Sequence, residues 1–105
     1  MHVLVVNFQL DGITDEQYRA ACDELAPAFA EVPGLVAKTW LADAQTGTYG
    51  GVYMFADSEA CKAFAASDLA GSVLNHPNLT NFTVRDFGVL EEPSAITHWL
   101  LRATA

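Results

Sequence analysis

Apolar and polar positions alternate with two different periods along this chain. From His2 to Gln9, Leu4, Val6 and Phe8 alternate with Val3, Val5, Asn7 and Gln9, which is the period of a strand. Asp11-Gly12 is a turn. Thr14 with Gln17 after it reads as a capping box, and Asp15 and Glu16 suit the positive end of a helix dipole. Tyr18, Cys22, Leu25 and Phe29 then fall on one helical face. Pro27 predicts a kink, or a second short segment running to about Glu31. Pro33-Gly34 ends the element. Leu35 to Ala42 and Thr48 to Phe55 read as two antiparallel strands joined by a loop that contains Gly47. Asp57 or Ser58 caps a second helix whose apolar stripe is Ala60, Cys61, Phe64, Ala65 and Leu69, with an irregular last turn from Ser72 to Asn75 after Gly71. His76-Pro77-Asn78 is a loop before a fourth strand, Thr80 to Leu90. Glu91-Glu92-Pro93 breaks that strand, and Ser94 can cap a short helix carrying Ile96, Trp99 and Leu100.

The order is β-α-β-β-α-β plus a tail. This predicts an α+β, ferredoxin-like split βαβ fold: a four-stranded antiparallel sheet with two helices on one face. Residues 1–105 form one domain, with 91–105 as a short C-terminal tail. Parity puts Leu35, Ala37, Thr39 and Leu41 on one side of their strand and Val36, Lys38 and Trp40 on the other. Tyr53 lies with Gly51 and Phe55, opposite Val52 and Met54. Phe82, Val84 and Asp86 oppose Asn81, Thr83, Arg85, Phe87 and Val89. Two helices cover one sheet face. The other, read as carrying Trp40, Tyr53, Phe87 and several valines, needs a cover, and a second copy of the chain is the simplest. The expected assembly is a homodimeric α/β barrel, with one cavity per subunit either between the sheet and its own helices or at the sheet interface.

Composition narrows the classes. The 51% hydrophobic fraction supports a packed core. A net charge of −8 with only 5 basic residues argues against nucleic acid and anionic membranes as partners. Cys22 and Cys61 read as buried free thiols, and the sequence offers no CxxC pair or Cys/His spacing for a metal. The first residues run straight into a strand without a basic leader, and no apolar run is long enough to span a membrane, so the expected location is the cytoplasm.

The pocket-facing set expected from parity is Asn7, Lys38, Trp40, Tyr53, Thr83, Arg85 and Phe87. Trp40 can stack on a flat ring, or be a plain core aromatic. Tyr53 can position a phenol or carbonyl through its hydroxyl. Arg85 and Lys38 can clamp an enolate or phenolate, or form salt bridges with some of the 13 acidic residues. His76 is a candidate base, or a solvated loop residue. His98 in the tail can fold over a cavity mouth, and His2 is a strand-end residue. The expected catalytic group is thus Arg85, Tyr53 and His76. Asn7, Lys38, Trp40, Thr83 and Phe87 are expected to bind substrate. No metal set and no GxGxxG fingerprint is present, so no cofactor is expected.

Four blocks, Val6-Asn7-Phe8 to Asp11-Gly12, Pro33-Gly34 to Lys38-Thr39-Trp40, Gly50-Gly51-Val52-Tyr53-Met54-Phe55-Ala56-Asp57, and Arg85-Asp86-Phe87 to Glu92-Pro93-Ser94, resemble the YdhR-type putative monooxygenases of the dimeric α/β-barrel group. The resemblance runs nearly the whole chain. It implies a homodimeric barrel and a monooxygenase, cofactor-independent, acting on a small aromatic or polyketide-like substrate in an apolar cavity. One departure is Asn7, where a member of that group carries His, so proton transfer would need another group or a different reaction. Related barrels also serve as isomerases, decarboxylases, haem-degrading enzymes and stress proteins. Two alternatives therefore stand beside the oxygenase: a non-oxidative isomerase, cyclase or decarboxylase, and a non-catalytic, ligand-binding stress-type dimer.

Overall fold

A computed structural model describes residues 1–97 of the chain; the expectations for His98, Trp99 and Leu100 lie outside the described residues. The strands are β1 (His2–Leu10), β2 (Leu35–Asp43), β3 (Thr48–Phe55) and β4 (Leu79–Gly88), and they form one antiparallel sheet in the order β2-β3-β1-β4. The helices are α1 (Asp15–Ala30), α2 (Ser58–Ala65), α3 (Asp68–Leu74) and α4 (Glu91–Ile96). This is the expected ferredoxin-like α+β fold. No helix among the described residues is long and apolar enough to cross a membrane.

Local chemistry explains most of the boundaries. Thr14 Oγ1 accepts the Gln17 N–H at 3.1 Å while Gln17 Oε1 accepts the Thr14 N–H at 2.9 Å, so the capping box that starts α1 is closed both ways. The helix runs through Pro27 to Ala30 as one element, without a separate second segment. Pro27 and Asp23 both lie on the exposed side, so the carbonyl that proline leaves without an in-helix donor can turn to water. The second helix is instead two helices. Ser67 interrupts it, accepting the Ala70 N–H at 3.2 Å as the cap of α3, and Gly71 is accommodated inside α3. α4 starts before Ser94, with Pro93 in its first turn where its missing N–H costs nothing.

The register decides which side chains share a face. Leu4 pairs with Tyr53 on one side and Asp86 on the other, Val6 with Gly51 and Val84, while Tyr53 also pairs with Lys38 and Gly51 with Trp40. These positions share the helix-covered face, and on it Leu4, Val6, Phe8, Tyr53 and Phe55 build the buried core with Tyr18 and Phe29 of α1 and Cys61 and Phe64 of α2. Trp40 and Tyr53 therefore belong to the covered face, not the open one as parity within single strands suggested. A bulge at Val36 shifts β2 against β3, so Leu35 packs with the core on the same side as Lys38 and Trp40. A second irregularity lies in β4, where Asn81 takes φ 55° and donates to Gln9 Oε1 at 2.6 Å. The open face carries Val3, Val5, Asn7, Thr39, Val52, Met54, Thr83, Arg85 and Phe87.

Replacing Thr14 by Ala removes one arm of the capping box and should lower unfolding free energy by about 1 kcal/mol in urea titration, with the m-value unchanged.

Candidate functional site

At the Phe8 end of β1, the sheet and α1 diverge enough to leave a cavity of about 70 Å³. Its walls come from four places. The sheet supplies Phe8, Lys38, Trp40 and Tyr53, and α1 supplies Tyr18, Cys22 and Phe29. Val73 of α3 and His76 of the following loop complete it. A wider groove of about 470 Å³ lies against it, lined by Tyr18, Arg19, Cys22 and Trp40 among others. The small cavity is well below the ~300–1,000 Å³ of ordinary ligand pockets, and the groove is within that range. Tyr18, Cys22 and Trp40 border both.

Lys38 is the unusual member. Its Nζ lies 3.4 Å from the ring centre of Trp40, 3.5 Å from that of Phe29 and 4.6 Å from that of Tyr53. Among the described residues it has no carboxylate partner. Burial disfavours the ammonium and lowers its pKa from 10.5 to about 7, while the nearby Cys22 pulls the other way. The three ring faces attract a cation and recover part of that cost, so both protonation states are accessible near neutrality. Gly51 makes the room: a Cβ there would meet Lys38 Cε at 3.0 Å. At neighbouring Gly50, φ is 153° and a Cβ would meet the Val6 carbonyl oxygen at 1.9 Å, so that position tolerates only glycine.

The tyrosine hydroxyls and the thiol of the cavity stay protonated. Burial raises the Tyr53 hydroxyl to about 12, and it raises Cys22 as well. Tyr18 is pushed up by burial and then by its hydrogen bond with Cys22. His76 Nδ1 accepts the Asn78 N–H at 3.1 Å, so in the neutral ring the proton sits on Nε2, which can donate. Its loop is held by Asn78, which donates Nδ2–H to the Asp11 carbonyl at 2.7 Å and accepts the Asp11 N–H at 2.8 Å. α1 is fixed over the cavity by Asp15, which accepts the Tyr49 hydroxyl and the Arg19 Nε–H at 2.7 Å each.

Of the expected site residues, the fold brings Lys38, Trp40, Tyr53 and His76 together. Asn7, Thr83, Arg85 and Phe87 lie on the opposite, open face of the sheet. The cause is strand phasing: parity within a strand is fixed, but only pairing with Leu4, Val6 and Phe8 shows which parity meets the helices. Tyr18, Cys22 and Phe29 were visible as the apolar stripe of α1, without a signal that the stripe also walls a cavity. His2, Cys61 and Asp86, which carry metal-ligand chemistry, meet at the other end of β1.

A family model described as "Putative mono-oxygenase ydhR" matches residues 3–99. The chain belongs to this family. A search of curated proteins gives no match. Among solved structures, the haem degrader MhuD of Mycobacterium tuberculosis, with two haems bound in its active site, superposes with a TM-score of 0.70 at 18% identity, covering 88% of this chain and 98% of that one. SnoaB of Streptomyces nogalater, a cofactor-independent oxygenase, gives 0.67 at 18% identity over 86% and 93%. A "putative antibiotic biosynthesis monooxygenase" of Deinococcus radiodurans gives 0.70 at 16% identity over 87% and 94%. At these identities the likeness is one of fold.

The Lys38 environment has a measurable consequence for this ydhR-family chain. Its native pKa lies below the unfolded value, so the unfolded chain holds the extra proton between about pH 7 and 10.5 and stability rises with pH across that window. Replacing Lys38 by Met should therefore stabilise the fold, most at and below pH 7 and progressively less toward pH 10, in thermal denaturation at a series of pH values.

Proposed function

We propose that this chain is a cofactor-independent monooxygenase for a small, electron-rich aromatic or polyketide-like substrate, working as a homodimer. The observation that carries the reading is the Lys38 amine, caged by Phe29, Trp40 and Tyr53 beside a cavity and without a carboxylate partner among the described residues. Membership of a mono-oxygenase family and a fold shared with a cofactor-independent oxygenase support the same direction.

Size dictates how a substrate sits. The reacting edge of one ring enters the inner cavity, and the body lies in the groove beyond Trp40. Above about pH 7 the Lys38 amine takes the proton from an enolisable C–H or phenol. The resulting ammonium then stands beside the enolate it has made and stabilises it electrostatically. Tyr53 O–H and His76 Nε2–H are the donors available for the substrate oxygen. The enolate is electron-rich enough to give an electron to O2. Overall a CH2 group and one O2 become a C=O group and one water, the four electrons coming from the substrate. Lys38 thus supplies the base that Asn7, on the far face, does not.

The same base would also serve a non-oxidative enolisation, because nothing about an amine is specific to oxygen. The two readings separate by experiment. With anthrones and quinols, oxygen consumption above buffer is expected, and Lys38→Met should lower kcat by about 10²- to 10⁴-fold. The pH profile of kcat/KM should rise through about 7 and lose that limb in the variant. Turnover that persists without oxygen selects an isomerase, cyclase or decarboxylase. Binding without any turnover selects a ligand-binding dimer.

The homodimer part of the reading is supported by the open face, where Val3, Val5, Val52 and Met54 are only half-buried and Phe87 is 53% exposed. Two such faces packed together would remove that apolar surface from water. Free thiols at Cys22 and Cys61 accord with a reducing compartment such as the cytoplasm. Sedimentation at micromolar concentration should give a dimer, and Val52→Glu on the open face should give a folded monomer.

A further inference from the structure

We propose that His2, Cys61 and Asp86 form a binding site for a zinc-type divalent cation, separate from the Lys38 cavity. The sequence spacing gives no hint of it, because the donors come from the start of β1, the middle of α2 and the end of β4. The fold assembles them. Asp86 pairs with Leu4, so it stands on the helix-covered face, and His2, two residues before Leu4, shares that face as its diagonal neighbour. α2 packs over β1 and brings down Cys61, which is 4% exposed. One ligand atom from each residue lies within 4.8 Å of the other two.

Geometry and chemistry both suit the cation. Tetrahedral bonds of about 2.0–2.3 Å set neighbouring ligand atoms roughly 3.3–3.8 Å apart. The thiol sulfur needs only a small inward shift to reach that spacing. His2 Nε2 and Asp86 Oδ2, now 2.6 Å apart with a proton between them, need to part slightly as the metal replaces the proton. One nitrogen, one sulfur and one oxygen donor form a mixed set that zinc accepts readily, whereas magnesium and calcium want oxygen alone. Asp86, with its side chain 60% exposed, leaves the outward side of the site open for water as a fourth ligand. A catalytic thiol is the weaker reading of the same trio, since a buried Cys61 cannot meet a substrate. The site lies about 20 Å from the Phe8 end of β1, taking ~3.3 Å per strand residue. A metal there would tie β1, β4 and α2 together without touching the cavity.

The test is a titration of tag-free, chelator-treated protein with Co²⁺. One cobalt per chain should bind, with a thiolate-to-cobalt charge-transfer band in the near ultraviolet and tetrahedral bands in the visible, and Zn²⁺ should displace it. Cys61→Ser should abolish the charge-transfer band. His2→Gln and Asp86→Asn should weaken binding by about tenfold or more, the loss that follows when a metal's surroundings are disturbed. Should Cys61→Ser fail to fold, the partly exposed His2 carries the test alone. No charge-transfer band in the wild type overturns the proposal, as does binding that is indifferent to His2→Gln. A band that survives Cys61→Ser but disappears in Cys22→Ser moves the metal to the other thiol and overturns it equally.

Discussion

The aromatic layer centred on Phe29 is the constraint on which the rest depends. Phe29 is 2% exposed and its ring centre lies 5.3 Å from Trp40, 6.0 Å from Tyr53 and 6.1 Å from Phe64. Tyr53 in turn packs on Phe64 and lies parallel to Phe55, the most deeply buried large side chain. These edge-to-face and offset contacts bind α1 and α2 to β2 and β3. With them, the interior acquires walls of ring faces, and any polar group placed among those rings inherits their low polarity.

Lys38 is that group. An apolar side chain at this position would be the cheaper choice for stability, since the ammonium loses hydration and gains only quadrupole attraction in return. The local sequence accommodates it all the same. Gly51 vacates the space beneath Lys38, and Gly50 keeps β3 pressed against β1. The desolvation that weakens the fold is also what brings the amine's pKa down to about 7.

The sheet divides the molecule's chemistry by face and by end. The covered face at the Phe8 end holds the amine and its rings, and at the His2 end it holds an imidazole, a thiol and a carboxylate within reach of one another. The open face carries Arg85, Thr83 and Asn7 among valines. β1 runs through all of this as a central strand, so its period-two alternation separates cavity from open face while its length separates the two polar clusters.

Much was legible from local pattern alone. Thr14 and Gln17 fixed where α1 starts, the alternation around Leu4, Val6 and Phe8 fixed β1, and β3 could be bounded at Thr48 and Phe55, because caps and strand periods act between near neighbours. The apolar stripe of α1 was equally plain. What local pattern could not supply was the phase of one strand against the next. The pairing of Tyr53 with Leu4 and Lys38 turned Trp40 and Tyr53 inward, the bulge at Val36 brought Leu35 to the same side, and Arg85, Thr83, Asn7 and Phe87 were left on the far side. The meeting of His2, Cys61 and Asp86 was beyond any spacing rule for the same reason. Residue types and local periods are written in the chain, but which faces touch is set by packing between distant segments, and only the folded sheet decides it.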